Sequence, residues 1–306
     1  MGMDEIVAGV DDSEYGLVAV EWAATEAARR GAPLRVVYAI APRLFDLPAG
    51  PRSEAIRKWT HANGEAVVEQ ALGRAVAAAP RVKVSGRQVG GRPADVLIKE
   101  SGGAAMVVVG GHGAGGPAGL LPGSVALRVI SHASCPAVAV HLGRPVGQAG
   151  EPAAQEPAAE APAAGVVVGV DCSPGSAAAL EFAFGEAALR GTSLRAVLAW
   201  TQPLAEDPRA GQTLFFEPEV VTEECDAALA DFAAGCEAEH PDVPFRRQVV
   251  HARPAPALAE ASASAELLVV GTRGRGGFTG LLLGSVGHAM LHRARCPVAV
   301  VPDRRR

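Results

Sequence analysis

Hydrophobic positions along the chain fall into two alternating kinds of segment. Short apolar runs at Glu5–Val10, Leu34–Ile40, Val82–Val89, Ala105–Gly110 and Pro136–His141 are separated by longer helical stretches. Those stretches are Glu14–Arg30, Ser53–Ala79, Pro93–Ser101 and Ser124–His132. Runs such as VVVG and LLVVG are apolar at successive positions, which suits a strand buried on both faces better than a half-exposed one. Strands alternating with helices predict right-handed crossovers and a parallel sheet covered on both sides. The alternation then starts again, with strands predicted near Val166–Val170, Leu194–Trp200, Val243–Val250, Glu266–Gly271 and Pro297–Val301.

The second set is a copy of the first. Gly9–Asp11 recurs as Gly169–Asp171, and Gly110-x2-Gly113-x9-Gly123-Ser124 recurs as Gly271-x2-Gly274-x9-Gly284-Ser285. Cys135-Pro136 recurs as Cys296-Pro297, and residues 106–140 share 16 of 35 positions with 267–301 without a gap. A period this long means duplicated domains, not a solenoid of short repeats. The expected organisation is a first domain at 1–143, a linker at 144–164 and a second domain at 165–306. The linker, rich in Pro, Ala, Glu and Gln, has no apolar periodicity and is expected to be extended.

Composition narrows the functional classes. A length of 306 residues agrees with two domains, and 49% hydrophobic residues can bury a sizeable core. With 28 basic against 33 acidic residues the net charge is -5, which argues against nucleic-acid or membrane-surface binding. Five scattered cysteines make no CxxC pair or zinc spacing, and no basic-then-apolar leader or run of 18 apolar residues occurs. The expectation is a soluble cytoplasmic protein.

In parallel sheets ligands gather at the carboxyl ends of the strands, near the switch in strand order. After the first strand of each copy come Asp11-Asp12-Ser13 and Asp171-Cys172-Ser173-Pro174. A helix start explains the serines and the proline, but not the recurrence of Asp11 and Asp171, whose carboxylates suit ribose hydroxyls. After the fourth strand comes GGHGAGGPAGLLPGS or GTRGRGGFTGLLLGS. Glycines let backbone N–H groups approach an anion, and the helix opening at Gly123-Ser124 or Gly284-Ser285 favours phosphate. The competing view is a loop with a serine-capped helix, which does not by itself require matched glycines in both copies.

Three familiar nucleotide motifs are excluded. None of the three lysines (Lys58, Lys83, Lys99) lies in a glycine segment, so there is no Walker A loop. Gly111-x-Gly113-x-x-Gly116 matches the dinucleotide fingerprint, but Thr272 breaks it in the second copy and no acid lies between Ser101 and Gly150. Ser101-Gly102-Gly103 precedes a strand and is followed by alanines, unlike the ATP pyrophosphatase loop it echoes.

With the post-strand Asp, the Gly-x2-Gly-x9-Gly-Ser spacing and the closing CPVAVV, the sequence resembles the ATP-binding branch of the universal stress protein family. The resemblance covers both copies and implies an α/β fold. Each of two tandem doubly wound domains would hold a five-stranded parallel sheet in the order 3-2-1-4-5, flanked by helices. It further implies ATP, with or without Mg2+, in each domain and pairing through strand 5, within the chain or between chains. Carried over by position, Asp11 and Asp171 would contact adenosine, and Ala39 and Ala199 would line the adenine pocket through backbone groups. Gly110, Gly113, Gly123, Ser124 and Val125 would hold ribose and phosphates, as would Gly271, Gly274, Gly284, Ser285 and Val286. Alanine at 39 and 199 replaces the family's commoner valine.

The implied role is an ATP-binding stress-response protein with two adenine-nucleotide sites and no catalytic residues. The alternatives are a slow ATPase or nucleotidyl-transfer enzyme using the same pockets, and a structural dimerisation module. Transfer chemistry calls for charged groups around the reacting phosphate, and the glycine segments share none. His112 and Arg273 occupy one variable position, so neither is an obligatory catalytic group in both sites. Arg273 and Arg275 are candidate phosphate contacts, with a solvated loop as the competing view. No metal site is assigned.

Overall fold

The computed structural model describes residues 5–41, 50–111, 123–141, 165–201, 217–274 and 283–303. The expected linker, Gly113, His112 and Arg275 lie outside the described residues. In chain order the first repeat contributes β1 (Ile6–Val10), α1 (Glu14–Arg30), β2 (Leu34–Ile40), α2 (Pro51–Ala78), β3 (Val84–Gly90), α3 (Pro93–Ser101), β4 (Met106–Gly110), α4 (Ser124–His132) and β5 (Ala137–Val140). The second contributes β6 (Val166–Gly169), α5 (Pro174–Arg190), β7 (Leu194–Trp200), α6 (Pro218–Glu239), β8 (Phe245–His251), α7 (Pro254–Ala261), β9 (Leu267–Gly271), α8 (Ser285–Arg293) and β10 (Val298–Val301).

Local chemistry sets the ends of the helices that follow the first strands. Ser13 caps α1 by accepting from the Gly16 N–H at 3.1 Å, and Ser173 caps α5 by accepting from the Ser176 N–H at 3.3 Å. Pro174 occupies the first turn of α5, where its missing N–H costs nothing. Both helices stop at a left-handed glycine, Gly31 and Gly191, each with φ of 61°. The strands behave as their apolar runs require: every residue of β1 is buried, as are the first four of β4 and of β9.

Contacts divide the chain into two units, Met1–Gly150 with Pro297–Pro302, and Glu151–Cys296 with Asp303–Arg306. In the first unit the strand order is β3-β2-β1-β4-β5, and all these neighbours are parallel. β10 joins this unit, antiparallel to β5, with Val298 opposite Ala139 and Val300 opposite Ala137. In the second unit β9-β6-β7-β8 repeats the parallel 4-1-2-3 arrangement. Helix α1 packs beside α2 and α3 beside α4, and α5 beside α6 and α7 beside α8, giving the doubly wound α/β class. Among the described residues no helix is long and apolar enough to cross a membrane.

Candidate functional site

In the second unit the carboxyl ends of β6, β7 and β9 open onto a cavity of about 430 Å³, within the range of small-molecule sites. Asp171 enters it directly after β6, and Val197 and Ala199 enter from β7. The end of β9 supplies Val270 and Gly271, followed by Arg273 and Gly274. Opposite these stand Gly284, Ser285, Val286 and Gly287 from the start of α8. The seven residues carried over by position in this repeat, Asp171, Ala199, Gly271, Gly274, Gly284, Ser285 and Val286, all line one cavity. Pro254 and Leu258 of α7 add apolar wall, and Ser176 closes the side nearest α5.

Asp171 is held by its own turn. Its Oδ1 accepts from the Ser173 N–H at 3.0 Å, and Cys172 between them adopts a φ of 56°. Two glycines sit tightly in this packing. A Cβ on Gly274 would collide with Asp171 Oδ2, and one on Gly271 would lie 2.7 Å from the Gly175 carbonyl oxygen. Gly284 differs: its φ is −68°, and among the described residues a Cβ there would meet nothing closer than the Thr272 carbonyl oxygen at 3.4 Å. Its freedom from a side chain is not demanded by the described residues around it.

That glycine, not the following serine, caps the helix. Ser124 and Ser285 are the first helical residues of α4 and α8, with Gly123 and Gly284 as caps, and neither helix has a side-chain cap bond. This differs from a serine-capped start because the cap position falls one residue earlier. In α8 the first intrahelical bond found at this end runs from the His288 N–H to the Gly284 carbonyl at 3.0 Å. The preceding N–H groups of Ser285, Val286 and Gly287 lie at the positive end of the helix dipole, beside the cavity. Such a terminus is suited to an anion.

The first repeat carries the matching framework. Asp11 follows β1 and accepts from the Ser13 N–H at 3.2 Å and from Ser13 Oγ. Ala39 is half-buried in β2, Gly110 ends β4, and Ser124 and Val125 open α4. The Gly123 N–H donates to the Gly111 carbonyl at 2.9 Å, just as the Gly284 N–H donates to the Thr272 carbonyl at 2.7 Å. In each repeat this bond ties the end of the fourth strand to the helix cap.

Other reactive side chains stay outside this chemistry. Burial raises the Cys135 and Cys296 thiols from an ordinary 9.0 to about 12, which favours their protonated form. Cys225 and Cys236 are half-buried on α6, and burial, then the nearby Glu239 and Glu181, raises the Cys236 thiol. Among the described residues no group of three or more metal-ligating side chains occurs. Several lining residues were not singled out from sequence. Val197 lies two residues before Ala199, hence on the same face of the strand, and this signal could have found it. Pro254 and Leu258 had no such signal, because only the fold brings α7 over β6: a Cβ on Gly169 would sit 2.6 Å from Leu258 Cδ1.

The model of the Universal stress protein family matches residues 3–141 and 165–302. A universal stress protein of Mycobacterium tuberculosis is 38% identical over 298 residues, 96% of each chain. One of Mycolicibacterium smegmatis is 36% identical over 306 residues, 98% of this chain and 97% of its own. The crystal structure of a universal stress protein from Archaeoglobus fulgidus DSM 4304 covers 98% of this chain and 97% of its own. Its TM-score of 0.64 at 18% identity is a likeness of fold.

Proposed function

This chain belongs to the universal stress protein family, and from that premise we propose that it is an ATP-binding regulatory protein of the stress response, with one adenine-nucleotide site in each repeat. The observation that carries the proposal is the convergence of a carboxylate, an apolar wall and an uncapped helix start on one cavity. Val197, Ala199, Pro254 and Leu258 offer a surface for a flat base. Asp171 offers acceptors to ribose hydroxyls, and the backbone N–H groups of Ser285, Val286 and Gly287 offer donors to phosphate oxygens. The same roles fall to Asp11, Ala39, Gly110, Gly113, Gly123, Ser124 and Val125 in the first repeat. A Mg2+ ion would arrive with the phosphates, Asp171 being the carboxylate that lines the cavity.

The site is built to hold nucleotide, not to turn it over. Phosphoryl transfer calls for cationic groups and a positioned base around the reacting phosphate. Arg273 and Asp171 are the charged residues lining the second cavity among those described, and Arg273 has histidine at the matching place in the first repeat. Hydrolysis is therefore expected to stay far below the typical enzyme rate of about 10 s⁻¹. We place the protein in the cytoplasm, with the pairing of the strands at Ala137–Val140 and Val298–Val301 made within the chain.

Nucleotide analysis of the purified protein tests the proposal, followed by titration of stripped protein with ATP. Co-purified adenine nucleotide and two binding equivalents per chain are expected. Protein that arrives without nucleotide and ignores added ATP would overturn it, and sustained turnover near 10 s⁻¹ would move it to the enzyme class.

A further inference from the structure

Arg273 is the cationic residue among the described lining of the second cavity, and it stands where the anion-seeking elements meet. It lies between Gly271 and Gly274, and its Cα is 3.7 Å from the place a Gly284 Cβ would occupy. The Gly284 N–H donates to the carbonyl of Thr272, the residue just before it, at 2.7 Å. On the other side, a Cβ on Gly175 would lie 2.9 Å from the Arg273 carbonyl oxygen, so its backbone is wedged between the starts of α5 and α8. The residue is exposed and anchored at the helix terminus where phosphates would sit.

We infer that Arg273 makes the second site selective for the phosphate charge of its nucleotide, so that the two sites of one chain are not equivalent. The inference rests on the nucleotide-binding proposal and deepens it. A guanidinium is permanently charged and can donate two parallel hydrogen bonds to a phosphate, with strength that grows with ligand charge. At the matching place the first repeat has His112, which offers no guanidinium fork. The second site is thus the one that prefers a triphosphate over a monophosphate or bare adenosine. Adenosine, which lacks phosphate, gains nothing from Arg273.

Calorimetric titrations of the full-length protein, stripped of nucleotide, with ATP, AMP and adenosine provide the test. Two unequal ATP affinities are expected in the wild type, with the tighter one more sensitive to added salt. In Arg273→Gln the tighter phase should weaken by about tenfold or more, the loss of a charged hydrogen bond, while adenosine binding stays unchanged. Circular dichroism and a melting curve would establish that the variant is folded. If Arg273→Gln leaves ATP unchanged, or weakens ATP and adenosine alike, the inference is overturned while the nucleotide proposal stands. If the wild type binds none of the three ligands, the nucleotide proposal itself has failed and the inference falls with it.

Discussion

Alanine at position 284 separates the demands of a ligand from those of the fold. Gly284 has a φ of −68° and ψ of 159°, both open to any residue, and among the described residues an added Cβ would make only ordinary contacts at 3.4 Å and 3.7 Å. As a helix cap, alanine is worse than glycine by under about 1 kcal/mol, and the stiffer unfolded chain returns about 0.4–1 kcal/mol. The net effect on stability should therefore be within about 1 kcal/mol. Binding should respond quite differently, because the methyl group would stand where phosphate oxygens approach the N–H groups of α8. Losing even one charged hydrogen bond, about 1.5–3 kcal/mol, weakens ATP by about tenfold to a hundredfold. At moderate ATP, Gly284→Ala should show one equivalent per chain in place of two. Gly123→Ala, at a cap with φ of −59°, should do the same for the first repeat. The double variant should bind none while unfolding at a similar denaturant midpoint. Two equivalents retained in the folded double variant, or one in the wild type, would refute the assignment of a phosphate site to each helix start.

Three further outcomes follow from the packing. Glu186 and Arg190 form an ion pair with side chains only 2% and 3% exposed, so Glu186→Ala takes a carboxylate away from a buried cation and should cost more than about 1 kcal/mol in chemical denaturation. Removing Glu54 from its pair with Lys58, whose side chains are 61% and 77% exposed, should cost under about 1 kcal/mol, and equal losses would contradict the burial argument. Ser173→Ala removes the cap on the Ser176 N–H and should lower stability by about 1 kcal/mol, checked by the shift in urea midpoint. With folded thiols raised from 9.0 to about 12, Cys135 and Cys296 contribute stability that is complete below pH 9 and lost as pH rises towards 12. At pH 8 they should be alkylated far more slowly than Cys225 until the chain unfolds, and mass spectrometry that found all three labelled together would count against this.

The amino-acid order was sufficient for whatever depends on near neighbours and on the duplication. Runs such as Val107–Val109 and Val166–Val168 announced doubly buried strands because no polar residue interrupts them. Ser173-Pro174 announced a helix start because capping is decided within three residues. The matched glycines marked the candidate site because backbone approach has a signature that survives in both copies. Tertiary structure alone decided what lies across space. Leu258 and Pro254 became cavity wall only when α7 folded over β6, a contact spanning about ninety residues with no periodicity to betray it. Gly271 proved necessary for its approach to the Gly175 backbone, whereas among the described residues the equally matched Gly284 meets only ordinary contacts, a distinction invisible in spacing. The last strand pairs antiparallel with β5, and apolarity could predict burial for it but not a partner. Hydrophobic patterning says which residues leave water; only the folded chain says which of them meet.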